Sequence, residues 1–148
     1  MEIKSILVPT DFSECSKAAL RYAFYLAEKF EAEVIVLHVI DQSHLASLRR
    51  ISSFSNEEIN KNVWMTHKEE LKKFLGETVH RVKYFIIQGI PFQEIAKKAR
   101  ELAVDLIVMG GYGRIEQEDL ERIFFGSTAE KVVRLLPCPV LCVPGEKA

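Results

Sequence analysis

Two glycine-containing stretches are the part of this sequence best suited to binding a ligand. Residues 110–113 contain three glycines and directly follow an apolar run that ends at Met109. Further along, Gly126 precedes the hydroxyl side chains of Ser127 and Thr128, where a helical pattern begins. Glycines leave main-chain N–H groups accessible, and a helix N-terminus adds roughly half a positive charge. The pattern fits phosphate binding, although a loop that needs left-handed glycines fits it too.

Five apolar runs with strand character must position these glycines. They are rich in valine, isoleucine and leucine, and several are continuous, as Val34-Ile35-Val36-Leu37 shows. Continuous apolar runs are typical of parallel strands that are covered on both faces. The predicted strands span residues 4–8, 33–40, 79–88, 105–109 and 139–143.

Helical patterns separate the predicted strands. Apolar residues recur at i, i+3, i+4 and i+7 within residues 19–30, 92–102 and 129–136. A further helix over residues 56–76 has a capping box at its start and a glycine at its end. The polar, serine-rich residues 41–54 break from this pattern, and we expect them to form a mobile surface segment.

Regular alternation of strands and helices predicts an α/β fold, a three-layer doubly wound sandwich. Its ligands bind outside the carboxyl ends of the strands, where the winding direction reverses. The 148 residues are enough for one domain. The glycines at the end of the fourth predicted strand are therefore placed where such a fold binds its ligand.

Composition excludes several classes of partner. The chain has 20 Lys and Arg against 21 Asp and Glu, so that its net charge of −1 recruits neither nucleic acid nor an anionic membrane. No signal peptide or membrane-length apolar run is present, and the three cysteines lack C-x-x-C spacing. We expect a soluble cytoplasmic protein with reduced thiols.

Two common phosphate-binding signatures are missing. A dinucleotide fold needs a glycine-rich first strand-helix turn, but that turn here is Pro9-Thr10-Asp11-Phe12-Ser13. A P-loop needs a lysine before its hydroxyl residue, and none precedes Ser127. The glycines therefore belong to another kind of nucleotide or phosphate site.

Four motifs, in order and at sensible spacing, resemble the universal stress protein (UspA-like) family over essentially the whole chain. They are Ile6-Leu7-Val8-Pro9-Thr10-Asp11-Phe12-Ser13, Leu37-His38-Val39-Ile40-Asp41, Met109-Gly110-Gly111-Tyr112-Gly113-Arg114 with Gly126-Ser127, and Cys138-Pro139-Val140-Leu141. The resemblance implies a five-stranded parallel sheet in order 3-2-1-4-5, as in adenine nucleotide alpha hydrolase-like folds. It places the switch point between the first and fourth strands.

The resemblance also implies a ligand, because ATP-binding members carry a Gly-x-x-Gly-x9-Gly-Ser/Thr motif. Carried onto this sequence, Gly110 and Gly113 approach the ribose and phosphates. Gly126 and Ser127 supply N–H groups and a hydroxyl. The expected cofactor is ATP, with Mg²⁺ or Mn²⁺ as a candidate companion ion and AMP or ADP as weaker candidates.

Seven further positions complete the nucleotide-binding set that the resemblance implies. Asp11 and the backbone of Val39 face the base and sugar, and neighbouring positions fill out the nucleotide-binding set: Pro9, Thr10, Met109, Arg114 and Thr128. The implied function is an ATP-binding regulatory module of the stress response. A dimeric module that binds no nucleotide and a slow ATPase or nucleotide hydrolase remain the alternatives.

The sequence departs from the family motif in one place. Twelve residues separate Gly113 from Gly126 where the motif has nine, and the added stretch contains Glu116, Glu118 and Asp119. Like charges beside phosphates cost on the order of 1 kcal/mol each. The acids could point to solvent, help to hold a divalent cation, or abolish ATP binding.

Residues that look catalytic are few. The four histidines have no metal-ligand spacing, and His38 at the end of a buried strand fits a satisfied core histidine. Only Glu116, Glu118 and Asp119 lie where they could activate a water, so we expect at most weak ATP hydrolysis.

The last predicted strand indicates a second kind of partner. Between Pro139 and Val143 the chain is apolar, and an edge strand there exposes unpaired backbone groups. Pairing with the same strand of a second copy removes that exposure. We expect a homodimer through this strand, together with a protein partner that the sequence does not identify.

Overall fold

Five parallel strands form one sheet in the computed structural model, which describes residues 1–112 and 125–145. The strands are β1 (Ser5–Pro9), β2 (Glu33–Asp41), β3 (Val82–Gly89), β4 (Leu106–Gly110) and β5 (Val140–Val143). Their order is β3-β2-β1-β4-β5, which confirms the predicted topology. The winding direction reverses between β1 and β4, and this is where the fold opens a crevice.

Helices cover both faces of the sheet. They are α1 (Glu14–Phe30), α2 (Gln42–Ile51), α3 (Asn56–Leu75), α4 (Pro91–Glu101) and α5 (Ser127–Leu135). Helices α1 and α3 pack on one face, and α4 and α5 pack on the other. The predicted three-layer sandwich is therefore confirmed.

Strand β1 shows why the apolar runs are continuous. Ile6 and Val8 point into the core under α1 and α3, whereas Leu7 points into the core under α4 and α5. All three side chains are fully buried. Because successive residues of a strand face opposite sides, a sheet buried on both faces needs an apolar residue at every position.

Residues 41–54 correct one prediction, since most of them form helix α2 rather than a mobile segment. The Asp41 carboxylate caps this helix by accepting hydrogen bonds from the Ser43 backbone N–H and hydroxyl, at 2.9 and 2.7 Å. Leu45 is buried and packs against Ile40 and Ile59. One cap and a short apolar stripe are enough here, although the serine-rich composition hides both.

The third strand begins later than predicted. Residues 76–81 form a short 3₁₀ helix that links α3 to β3, so the strand starts at Val82 rather than at Val79. Gly76 ends α3 with a φ of +55°, as its place in the sequence indicates. Val79 packs against the core from the 3₁₀ turn, which explains why its apolar character resembled a strand.

No helix within residues 1–112 and 125–145 is both long enough and apolar enough to cross a bilayer.

The residue that follows helix α1, its C-cap Glu31, has a strained backbone conformation. Glu31 is exposed and has a left-handed φ of +55°, a conformation that costs a non-glycine residue about 1 kcal/mol. Glu31→Gly should raise the free energy of unfolding by about 0.5–1 kcal/mol in urea denaturation. Glu28→Gly, one turn earlier and inside the helix, is the matched control and should lower it by a similar amount. Equal effects of the two changes would refute this account of the α1 terminus.

Candidate functional site

A cleft opens at the carboxyl ends of β1, β2 and β4. Nine residues expected in the site line it: Pro9, Thr10, Asp11, Val39, Met109, Gly110, Gly126, Ser127 and Thr128. The other two, Gly113 and Arg114, lie outside the described residues. The structure therefore brings together residues that are up to 119 positions apart, and their role toward a nucleotide stays a prediction.

Several lining residues were not predicted. They are Ser13, Ser16, Leu37, Pro91, Ile95, Tyr112 and Ala129. Ser13 and Ser16 lie in the matched β1–α1 stretch or one turn beyond it, so their position could have been found. Pro91 and Ile95 come from the start of α4, and only the folded sheet brings α4 to this crevice.

Hydroxyl groups fix the turn between β1 and α1. The Ser16 hydroxyl donates to the Ser13 carbonyl at 2.8 Å. It therefore accepts from the Thr10 hydroxyl, whose oxygen lies 2.9 Å away. The Thr10 hydroxyl oxygen in turn accepts from the Phe12 N–H at 3.0 Å. This chain of bonds holds the backbone of the turn in one conformation.

Asp11 extends from the same turn at the mouth of the cleft. One of its carboxylate oxygens accepts a hydrogen bond from the Ser13 N–H at 3.0 Å, and the residue is exposed. Ser13 also caps α1, because its hydroxyl oxygen accepts from the Ser16 N–H at 3.2 Å. The N-terminus of α1 is thus occupied by side chains of the chain itself.

The N-terminus of α5 differs from that of α1. Its N-cap is Gly126, in an extended conformation with φ −67° and ψ 148°, and no side chain of residues 1–112 or 125–145 caps the helix. The first-turn acid Glu130 is paired with Arg134 at 2.7 Å. An uncapped helix N-terminus presents N–H groups and a partial positive charge, which suits an anion. Ser127 and Thr128 place this terminus in the cleft.

Backbone hydrogen bonds tie the two glycine stretches to each other and to β5. The Gly126 N–H donates to the Gly111 carbonyl at 2.6 Å, and the Gly111 N–H donates to the Val143 carbonyl at 2.9 Å. The backbone after β4, the backbone before α5 and the end of β5 are therefore held next to one another at the cleft. Glu116, Glu118 and Asp119 lie between these ties, outside the described residues, and their three alternatives stay open.

Gly110 has a packing role beside its place in the cleft. A Cβ atom there would lie 2.8 Å from Cys15 Sγ and 3.1 Å from the Cys15 carbonyl carbon. The absence of a side chain therefore lets α1 approach β4 closely. Among the described glycines only Gly76 has a positive φ, so the alternative of a left-handed loop is wrong for Gly110, Gly111 and Gly126.

His38 lies beneath the β1–α1 turn as a satisfied core histidine, which confirms the prediction. Its Nδ1 is 2.8 Å from the Thr10 carbonyl oxygen, and its Nε2 is 2.7 Å from His67 Nδ1. Burial lowers the pKa of His38, against the opposing effect of the Thr10 carbonyl. The contact of His38 with His67 was not predicted, because no sequence pattern links two histidines that are 29 positions apart.

The described part of the chain holds no group of three or more His, Cys, Asp or Glu side chains placed to bind a metal ion. Its polar groups at the cleft are hydroxyls, one carboxylate and backbone N–H groups. Such a set binds and orients an anionic ligand by hydrogen bonds and by the dipole of α5.

Comparisons with known proteins agree with the fold. A sequence model of the universal stress protein family matches residues 2–144. Universal stress protein MJ0531 of Methanocaldococcus jannaschii is 35% identical over 145 residues, which cover 97% of this chain and 84% of that protein. Universal stress protein MJ0577 of the same organism is 36% identical over 155 residues, covering 95% and 94%.

Solved structures extend the similarity to three dimensions. A structure of MJ0577 matches with a TM-score of 0.79 at 32% identity and covers 100% of both chains. Universal stress protein UspA from Lactobacillus plantarum matches with a TM-score of 0.71 at 27% identity, covering 97% of this chain and 99% of that one.

The close approach of α1 predicts different effects for two adjacent glycines. Gly110→Ala should lower the free energy of unfolding by about 1–3 kcal/mol, because the new methyl group overlaps Cys15. Gly111→Ala is the matched control, since its Cβ would meet nothing closer than the Val143 carbonyl oxygen at 3.6 Å. Its effect should stay within about 0.5 kcal/mol. Urea denaturation measures both, and an unchanged stability of the Gly110 variant would contradict the packing role.

Proposed function

The chain belongs to the universal stress protein family, and from this premise we propose that it is a cytoplasmic regulatory module that binds ATP in the β1–β4 cleft. The observation that carries the proposal is the N-terminus of α5, which opens into the cleft beside Ser127 and Thr128 and which no side chain of the described residues caps. A change of nucleotide state then alters the affinity for a protein partner.

The lining of the cleft supports a ligand with an apolar ring and an anionic tail. Leu37, Val39, Ile95 and Met109 give one part of the cleft apolar walls, against which a purine can lie. The α5 terminus is positively polarised and suits the phosphates. Asp11 accepts hydrogen bonds but repels phosphate, so it suits the ribose or base end of the ligand.

In this proposal each group of the chain has a defined task. The N–H groups and hydroxyls of Ser127 and Thr128 bind the phosphates, while Asp11 and the backbone of Val39 orient the sugar and base. Gly113 keeps its predicted approach to the ribose and phosphates, and Arg114 keeps its predicted place in the nucleotide-binding set. Bound ATP supplies a reversible, highly charged ligand, and Mg²⁺ or Mn²⁺ accompanies it chiefly on its own phosphate oxygens.

We also propose that the protein is a homodimer that pairs along β5. Strand β5 lies at the edge of the sheet and pairs with β4 on one side. Leu141 in this strand is 37% exposed, so both backbone and apolar side-chain surface are available to a second copy. A two-fold axis beside residues 139–143 would continue the sheet across two chains.

A proline at position 127 tests the phosphate site without breaking the helix. Ser127 is the first residue of α5, where proline is well tolerated, and the extended Gly126 suits a residue before proline. Ser127→Pro removes both the N–H and the hydroxyl, so ATP affinity should fall about 10- to 100-fold. Isothermal titration with ATP and Mg²⁺ measures the effect.

Ser127→Ala is the matched control, because it removes the hydroxyl and keeps the N–H. It should lose less affinity than the proline variant, and circular dichroism should show the same helix content in both. No uptake of millimolar ATP by the wild-type protein with Mg²⁺ or Mn²⁺ would refute the proposed function and favour the nucleotide-free dimer. Phosphate release in the same samples would show whether bound ATP is hydrolysed.

Sedimentation at micromolar concentration tests the pairing along β5. We expect a mass twice the 16.9 kDa of one chain. Leu141→Lys should shift the population toward single chains, because a charged edge strand resists pairing. Lys131→Ala, a change on the side of α5 that contacts the Phe92 ring of α4, should not. A single-chain mass for the wild-type protein would contradict the dimer.

A further inference from the structure

The β1–α1 turn contains a strained residue, Phe12, whose ring is supported by aromatic side chains of β2 and α3. Phe12 has a φ of +68°, a left-handed conformation that is unfavourable for a large side chain. Its ring stacks on the His38 imidazole, with centroids 4.2 Å apart and planes at 27°. Phe74 of α3 contacts the same ring at 5.9 Å. The turn is held in place by aromatic contacts as well as by the hydroxyl chain.

A hydrogen-bonded pair of histidines extends this support from the cleft to α3. Because a carbonyl oxygen only accepts, the Thr10 carbonyl at 2.8 Å requires a proton on His38 Nδ1. Neutral His38 then accepts at Nε2 from the Nδ1–H of His67, across 2.7 Å. His67 can gain a charge at its own Nε2 without disturbing this bond, so the pair tolerates one positive charge.

A second positive charge breaks the pair. If His38 were also protonated at Nε2, two N–H groups would face each other across 2.7 Å, and both imidazoles would be cationic. The rings are themselves stacked, with centroids 5.0 Å apart, so the charges could not separate without movement. Movement of either imidazole therefore disturbs a contact with the Phe12 ring or with the Thr10 carbonyl oxygen.

Charged groups of α3 and of the β1–α1 turn act on His38. From α3 come His67 and Glu70, from the turn comes Asp11, and from α1 the Lys17 ammonium lies 4.7 Å from the Phe74 ring centroid. Burial, the largest effect, lowers the pKa of His38 from its ordinary 6.5, and His67 lowers it further, whereas the Thr10 carbonyl, Asp11 and Glu70 raise it. In the folded protein His38 therefore gains a proton only at a lower pH than an ordinary histidine does.

We infer that His38 and His67 form a proton-sensitive brace that positions the β1–α1 turn for ligand binding, so that acidification weakens the binding of ATP. The inference rests on the proposed function, because the turn carries Thr10 and Asp11 into the cleft. Both histidines are positioning residues: His38 acts through Phe12 and the Thr10 carbonyl, and His67 acts through His38. The brace also couples α3, which does not line the cleft, to ligand affinity.

His67→Asn separates proton sensing from structural support. The asparagine amide lies near the position of Nδ1, and it can donate to neutral His38 or, after flipping, accept from protonated His38. His80→Asn changes an exposed histidine of the 3₁₀ turn and is the matched control. Between about pH 7.5 and pH 5.5, the wild-type protein and His80→Asn should lose more ATP affinity than His67→Asn, by a factor of up to about ten.

Comparing variants at the same pH removes the effect of protonation of ATP itself, since all three proteins bind the same ligand. His67→Leu retains bulk but cannot donate, and its ATP affinity should be lower than that of His67→Asn at both pH values. Equal pH dependence in the wild-type protein and His67→Asn would overturn the inference.

Nuclear magnetic resonance of the nucleotide-free protein tests the brace independently of ATP. The backbone amide signals of Thr10, Asp11 and Phe12 should titrate together with the imidazole nitrogens of His38 in the wild-type protein, and this coupled shift should be absent in His67→Asn. If the wild-type protein binds no ATP but the turn titrates, the proposed function fails and the brace stands. If the imidazoles titrate while the turn signals stay fixed, the brace is wrong whatever the ATP result.

Discussion

The close contact between α1 and Gly110 is the constraint on which the cleft depends. Because no side chain stands at Gly110, Cys15 packs directly against β4 and its Sγ donates to the Val143 carbonyl at 3.1 Å. The same carbonyl accepts from Gly111, whose own carbonyl accepts from Gly126. One continuous series of contacts therefore runs from the first turn of α1 to the first turn of α5. These two helix starts form opposite walls of the cleft, and their separation follows from how closely α1 approaches the sheet.

The two helix starts have opposite electrostatic character, although they belong to one site. At α1 the chain satisfies its own N–H groups through Ser13, and Asp11 adds a negative charge at the mouth of the cleft. At α5 the N-cap is a glycine, and within the described part of the chain no side chain accepts from the first N–H groups. An anionic group is therefore drawn to one end of the cleft and away from the other. This asymmetry gives a bound molecule a direction, whereas a uniformly positive cleft would accept it either way round.

Much of this arrangement was predictable, but different parts rested on different kinds of evidence. Continuous apolar runs predicted the strands, because a sheet buried on both faces needs them, and apolar periodicity predicted three of the helices. A capping box and a terminal glycine predicted α3. Strand order came from the family resemblance, since periodicity says nothing about which strands are neighbours. Helix α2 was missed because its N-cap, Asp41, is also the last residue of β2. Gly110 stays a predicted ligand contact, and the structure adds a packing role, because a Cβ there would overlap Cys15. His67 was not predicted, because only the packing of α3 brings it to His38.

The hydrogen bond between Gly126 and Gly111 bears on how long the connection between β4 and α5 can be. It joins the two ends of the connection between β4 and α5, and so it offsets part of the conformational entropy that is lost when these ends are brought together. Lengthening a flexible loop adds little to that cost, about 0.6 kcal/mol for each doubling. A connection held together at its two ends can therefore be three residues longer than the family spacing at little cost to folding.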